Sequence, residues 1–313
     1  MTGKIITCDH VTFQLPEPLE WSICRTGGIP ADCFTAVCVY TPDMAEPVHR
    51  AVSFLALDGN RLLLHGVVDE YEITQNGAGR LVTLRGRGYI CRLLDNESRP
   101  MTYRTAGLEE IIRNHVIPYG IPCREMAALR AEDIYTVPAG ISQWKALTDF
   151  CETYGGFVPR FARNGDLLAV PEDGGALHII GDDTPVLALT KRGDHYGVIS
   201  EVLVIDKNRG VTQTVKNADF LARGGQRRRV VYTPGQSTWA AMRYTGEYQI
   251  GKSRENEVEI TVKLPGLTEV EPGDTVRLNR SDCGLYGEYR AAEVEHRLDT
   301  DGEITLLTLK ERV

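Results

Sequence analysis

The residues of this chain that could do acid–base chemistry come as sequence neighbours: Asp69-Glu70, Asp182-Asp183, Asp9-His10 and Asp194-His195. A general acid and its base must reach one substrate together. Neighbours on a β-strand point to opposite faces, so none of these pairs can act as a unit where the chain is extended. Ser281-Asp282-Cys283-Gly284 holds two nucleophile types. It reads as a turn, without the strand-to-helix elbow that exposes a nucleophilic serine and with no histidine nearby. His296 lies in a strand-like run and is expected to be a hydrogen-bonded structural histidine inside a β-barrel. No His-Glu-x-x-His, His-x-x-x-His or phosphate-binding glycine loop is present. The sequence therefore offers no catalytic, cofactor-binding or metal-binding residue, and the expectation is a chain that is not an enzyme and needs no cofactor.

The eight cysteines are Cys8, Cys24, Cys33, Cys38, Cys91, Cys123, Cys151 and Cys283. None forms a Cys-x-x-Cys pair, and several sit in apolar runs such as Ala36-Val37-Cys38-Val39. They are expected to be buried free thiols in a reducing compartment rather than disulfides or zinc ligands. A formal net charge of -8 over 313 residues argues against general nucleic-acid binding, which relies on clustered Lys and Arg. The one basic run, Arg227-Arg228-Arg229, follows Gly224-Gly225 and reads as a solvated loop. No window approaches the roughly 18 apolar residues of a membrane span, and the N-terminus lacks the pattern of a secretion signal.

The elements that must position these residues are mostly strands. Leu19 to Arg25, Phe34 to Tyr40, Ala51 to Leu57, Arg61 to Ile73 and Arg80 to Arg87 are short strand-like runs bounded by Gly, Asp, Asn or Pro. Asp58-Gly59-Asn60 and Asn76-Gly77 are hairpin signals, because Asp, Asn and Gly tolerate the positive φ of tight turns. The middle changes character. Apolar residues at helical spacing predict a helix from Leu108 to Val116, capped by Thr105 or Gly107 and stopped by Pro118 and Gly120. A second helix is predicted from about Ser142 to Tyr154, ended by Gly155-Gly156. Strands at Phe157 to Phe161 and Leu167 to Val170 follow, joined at Asn164-Gly165.

From Pro185 the β pattern returns. Gly197 to Asp206 and Thr212 to Lys216 form a hairpin through Asn208-Arg209-Gly210. An irregular, Arg- and Gly-containing stretch comes next. Glu257 to Lys263, Thr275 to Leu278, Tyr289 to His296 and Ile304 to Lys310 then complete a second β domain, with turns at Pro265-Gly266, Pro272-Gly273-Asp274 and Asp301-Gly302. The fold class is thus mainly β with an α/β insertion: two similar β-barrel domains, 1–100 and 181–313, flanking a small α/β domain, 101–180.

The two β domains align with each other when Gly77 is set opposite Gly302. Leu81-Val82-Thr83-Leu84-Arg85 falls on Leu306-Leu307-Thr308-Leu309-Lys310, Arg87 on Arg312, and Asn76 on Asp301. Glu70, Tyr71 and Ile73 meet Glu295, His296 and Leu298. The shared object is a hairpin with an Asx-Gly turn, and it points to duplication. Three copies of such a chain offer six similar modules around one axis, so they could meet a six-fold partner.

With these motifs in hand, the chain resembles the phage tail hub family, the late-control (protein D-like) or baseplate-hub proteins that also form the first part of type VI secretion spike proteins. Its most specific stretch runs from Gly287-Glu288-Tyr289 through Val294-Glu295-His296-Arg297-Leu298 to Thr305-Leu306-Leu307-Thr308-Leu309. Looser likeness is carried by Leu57-Asp58-Gly59, His65-Gly66-Val67-Val68-Asp69, Val82-Thr83-Leu84-Arg85-Gly86-Arg87, Tyr119-Gly120-Ile121, Gln143-Trp144-Lys145-Ala146-Leu147 and Asn164-Gly165-Asp166-Leu167. The resemblance implies a homotrimeric, pseudo-six-fold ring between the hexameric tail tube protein and a central spike protein. Tape-measure and other baseplate proteins are further implied partners, with no membrane insertion and no sequence-specific nucleic acid. It implies a place in the baseplate of a virion or tail-like particle assembled in the bacterial cytoplasm. Outer strands are expected to pair across protomers, Tyr71 and His296 to fill core or interface, and the lumen to be negatively lined. An end at Val313, straight after the second barrel, suggests a spike on a separate chain.

One rival motif is specific enough to name. Tyr135-Thr136-Val137-Pro138-Ala139-Gly140, followed by Trp144, resembles the opening of a LysM peptidoglycan-binding module. Ile141 stands where an Asp usually follows, and the helix after it is longer than such modules allow.

Overall fold

Apolar residues alternate with polar ones along most of the chain, and strands form wherever that alternation is sustained. The computed structural model describes residues 1–77, 79–131, 134–233, 238–300 and 302–311. Asp301, Arg312 and Val313, which entered the repeat, turn and chain-end readings, lie outside the described residues. The fold class is mainly β. Two compact units can be described separately.

The first unit comprises Met1–Ala176, Pro265–Gly273 and Glu293–Leu306. Its early strands are β1 (Thr2–Thr7), β2 (Thr12–Gln14), β3 (Glu20–Arg25), β4 (Cys33–Val39), β5 (Ala51–Asp58), β6 (Arg61–Asn76) and β7 (Gly79–Gly88), with the short helix α1 (Ala45–His49) before β5. They hydrogen-bond in the order β3-β4-β7-β6-β5-β1-β2. The five strand runs read from the sequence here are β3 to β7. Asp58 pairs with Arg61 and Asn76 with Gly79, so both Asx-Gly signals close hairpins. Burial alternates as a one-sided sheet requires: Trp21, Ile23, Phe34, Ala36, Cys38, Val82 and Leu84 face one core.

A second core in this unit gathers α2 (Cys91–Leu94), β8 (Met101–Arg104), α3 (Leu108–His115), β9 (Cys123–Met126), β10 (Ile134–Val137), α4 (Gln143–Gly155), β11 (Arg160–Phe161) and β12 (Leu167–Ala169). Both predicted helices form. Gly107 stands at the N-cap of α3, and left-handed Gly120 closes the short 3₁₀ turn after it. The Ser142 hydroxyl accepts the Lys145 N–H at the start of α4, and left-handed Gly156 ends it.

The second unit comprises Leu177–Leu264, Asp274–Ala292 and Leu307–Val313, described here as far as Glu311. It holds β13 (Leu177–Gly181), β14 (Ala188–Gly193), β15 (Glu201–Asp206), β16 (Thr212–Lys216), α5 (Ala218–Ala222), β17 (Arg228–Thr233), α6 (Trp239–Arg254), β18 (Val258–Pro265) and β19 (Thr275–Arg280). The long strands β20 (Leu285–Asp299) and β21 (Gly302–Lys310) begin or end in it. A three-stranded sheet runs β16-β15-β17, with β17 parallel to β15. The helix α6 covers it through Met242, and Gly246 is needed there. A Cβ at Gly246 would lie 2.4 Å from a Val215 methyl.

Several expectations are corrected. The stretch after Lys216 is not irregular: it forms α5, β17 and α6. The helix α6 lacks an apolar stripe, since only Met242 and Gly246 are buried, so helical periodicity does not reveal it. Arg228 and Arg229 lie in strand β17 rather than a loop, and Arg228 pairs with Glu201. Of the two places expected for Tyr71, core or interface, the core is excluded: it is 40% exposed, with its hydroxyl 3.0 Å from His49 Nδ1. All eight cysteines are free thiols, but Cys8, Cys33 and Cys283 are exposed and only Cys38, Cys91 and Cys151 are buried.

Candidate functional site

Three groups of side chains suited to chemistry lie in closed polar junctions. At the first, the start of β5 sets Ser53 beside the first half of β6, and His65 Nε2 lies 2.7 Å from Ser53 Oγ and 2.9 Å from the Tyr89 hydroxyl. The His65 backbone N–H donates to the Arg163 carbonyl at 2.7 Å. Burial pushes the His65 imidazole below its ordinary range. A serine and a histidine at this distance are a nucleophile–base geometry. Ser53 is buried, however, and the adjoining void, lined by His65, Tyr89 and Gly165, is only about 10 Å³. That admits a water-sized occupant and no substrate. Gly165 belongs to the same junction, because a Cβ there would meet the Tyr89 ring at 2.2 Å.

The second junction joins α3 to α4. His115 Nδ1 is 2.7 Å from Gln143 Oε1, and its Nε2 is 2.9 Å from the Tyr103 hydroxyl. Gln143 Nε2 then donates to the Glu97 carbonyl at 3.0 Å and to the Tyr119 hydroxyl at 2.7 Å. His115 is fully enclosed, and burial lowers its pKa. These bonds satisfy polar groups that packing two helices would otherwise strand.

The third junction surrounds His296 on β20. Arg25 pairs with Asp32 at 3.5 Å, and Glu271 bridges Arg25 and Arg163. Arg61 donates to the Thr268 carbonyl at 2.6 Å. Burial, then the nearby guanidinium groups of Arg163, Arg61 and Arg25, push the His296 pKa down to about 4. His296 is therefore neutral and structural. A hydrogen bond with the Thr268 backbone acts in the opposite direction, and the ring's Nε2 has no hydrogen-bond partner among the described residues.

The remaining sequence candidates do not converge. Asp69 pairs with Arg87 at 2.7 Å and Glu70 with Arg85 at 3.0 Å. Asp182 accepts the Ser281 N–H and hydroxyl at 2.8 and 2.6 Å on an exposed turn, and Asp282 pairs with Arg280. Asp9 pairs with Arg50 at 3.3 Å, and Asp194 with Arg192 at 3.0 Å. The His178–Asp274 contact, 2.9 Å from β13 to the residue just before its parallel neighbour β19, is a pair that sequence spacing could not reveal. No group of three or more His, Cys, Asp or Glu among the described residues is arranged to hold a metal ion. No helix among them is long and apolar enough to cross a membrane. In the LysM-like segment, Tyr135 and Trp144 are buried in the core, so neither offers a face to a glycan.

What is exposed is strand edge and aromatic surface. Among the described residues β17 pairs only with β15 and leaves its other edge open. Val230 and Tyr232 on β17, and Trp239, Tyr244 and Tyr248 on α6, are exposed. Patches of this kind mark interaction surfaces more often than catalytic sites.

Solved structures share this fold. The tail protein from Neisseria meningitidis MC58 superposes with a TM-score of 0.79 at 17% identity, covering 99% of this chain and 96% of that one. The 43 kDa tail protein of prophage MuSo2 from Shewanella oneidensis gives 0.80 at 14%, covering 99% and 98%. The chain has the fold of a phage tail protein. The Escherichia coli c3393 protein, a type VI secretion component described as similar to the T4 tail proteins gp27 and gp5, matches at 0.58 and 10%, covering 96% of this chain and 75% of that one. No family model matches the sequence, and no curated protein does. The junctions around His65, His115 and His296 tie together segments far apart in the sequence.

Proposed function

We propose that this chain is a structural component of the baseplate hub of a contractile phage tail or tail-like injection particle, acting by assembly and without catalysis. The observation that carries the reading is the end-to-end likeness of its fold to two phage tail proteins, each covered almost completely. The likeness to a type VI secretion component supports a position next to the spike.

In this reading three copies form a ring that joins the tail tube to a central spike, within a virion or tail-like particle assembled in the bacterial cytoplasm. The domains are 1–100, 101–180 and 181–313, and the two β domains present similar hairpins, β6–β7 and β20–β21, to a six-fold neighbour. Open edges such as β17 suit backbone pairing between protomers, which hides unpaired N–H and C=O groups. Tape-measure and other baseplate proteins complete the set of partners.

The test is a cryo-electron microscopy structure with the mass in solution, on the purified protein alone and mixed with tail tube and spike proteins. Three-fold rings in the mixture are expected. A monomer that stays unbound in the mixture and exposes a ligand-sized pocket would overturn the proposal.

A further inference from the structure

Strands β3 and β4 place Cys24 directly opposite Cys33 in the antiparallel ladder. Both side chains lie on the face turned away from the core, because Trp21, Ile23 and Arg25 on β3, and Phe34 and Ala36 on β4, are the buried positions. Directly opposed residues of an antiparallel pair have Cα atoms about 4.5 to 5.5 Å apart. That falls inside the range a disulfide spans without backbone movement. Both thiols are free, and Cys33 is the exposed one of the two. The same row continues through Glu295 beside Cys24 and Arg87 beside Cys33.

We propose that Cys24 and Cys33 form a reversible thiol–disulfide staple across β3 and β4, open in a reducing medium and closed by small-molecule disulfides in an oxidising one. The pair is asymmetric in the way such chemistry needs. Cys33 is exposed, whereas Cys24 is half-buried, and burial with the neighbouring carboxylate of Glu293 raises the Cys24 thiol above its usual range. Cys33, the solvent-exposed thiol, is therefore the one that a small-molecule disulfide meets first. It displaces one thiolate from a disulfide RSSR, breaking that S–S bond and forming a Cys33–SR mixed disulfide. Cys24 then gives up its proton and attacks the Cys33 sulfur, forming Cys24–Cys33 and releasing the second thiolate. Two cysteines lose two electrons, RSSR gains them, and both protons leave on two molecules of RSH.

The closed loop would hold residues 25–32. These include Arg25 and Asp32 of the His296 junction and Gly27, whose carbonyl accepts the Phe161 N–H at 2.8 Å. Oxidation thus fastens the hairpin on which that junction is built. This staple needs no partner chain and stands apart from the assembly proposed above.

The experiment treats the purified full chain with oxidised glutathione, alkylates the remaining thiols, and reads intact mass and linked peptides by mass spectrometry. The expected product contains a Cys24–Cys33 link and lacks the corresponding two hydrogens, and dithiothreitol restores it. In Cys24→Ser the reaction should stop at a glutathione adduct on Cys33. Cys8 and Cys283 are exposed as well, so random oxidation would modify them equally. Full alkylation of both Cys24 and Cys33 after oxidation, or an adduct on Cys33 that never resolves in the unsubstituted protein, would overturn the proposal. So would protection of both thiols by stoichiometric zinc under reducing conditions, which would make them metal ligands.

Discussion

Burial decides the charge state of His296. The unfolded chain protonates this imidazole near 6.5, the folded chain only near 4. Between those values the unfolded state holds more protons, so stability climbs with pH across the window and is lost as pH falls through it. The full effect is about 3 kcal/mol at most. His65 and His115 are also shifted down by burial and act in the same direction. Urea midpoints measured above and within the window should therefore fall less steeply on acidification in His296→Leu than in the unsubstituted protein. Identical slopes would show that the histidine is not the source. Arg25 supplies a second prediction. Its side chain is buried between Asp32 and Glu271, so Arg25→Met leaves a buried carboxylate uncompensated and should cost about 3 kcal/mol. Arg85 pairs with Glu70 and Glu72 in solvent, and Arg85→Met should cost under about 1 kcal/mol by the same denaturation measurement.

At the scale of elements, the hairpin β6–β7 depends on two glycines from the hub-like motifs. A Cβ at Gly86 would lie 1.9 Å from the Val67 carbonyl and 2.6 Å from the Phe34 ring, and one at Gly66 would lie 2.7 Å from the Arg87 carbonyl. Phe34 stacks on Phe54 with ring centroids 4.3 Å apart, and the missing Cβ atoms are what lets that pair sit against the strands. Gly86→Ala should cost about 2 kcal/mol or more, because nothing within reach can yield without moving backbone. Gly28→Ala, with open space around it, should stay within about 1 kcal/mol. Equal thermal shifts for the two would refute the steric account. The strand runs β3 to β7 and the helices α3 and α4 were legible because each has its own period and its own capping or turn residues. The helix α6 was not: its exposed Trp239, Tyr244 and Tyr248 break the apolar stripe, and its packing rests on Gly246, which reads as a helix breaker.

At the scale of the whole molecule, a net charge of -8 sets the expectation for nucleic acid. In the proposed hub role the chain should not hold DNA that passes through the ring. Electrophoretic shifts with double-stranded DNA at physiological salt should show no complex, and binding tighter than about 10⁻⁶ M would contradict the proposed role.

By itself the sequence determined the mainly β fold class and the placement of most strands and both middle helices. Those properties follow from short-range periodicity, turn chemistry and residue type, which the chain carries without reference to distant segments. Only the tertiary structure decided that Glu271 meets Arg25 and Arg163, that Ser53 meets His65 and Tyr89, and that Cys24 stands opposite Cys33. It also decided that Glu293–Leu306 packs in one unit with the N-terminal residues. Such pairings are set by strand order and register. These depend on which faces bury best together, and no local pattern in the sequence encodes that choice.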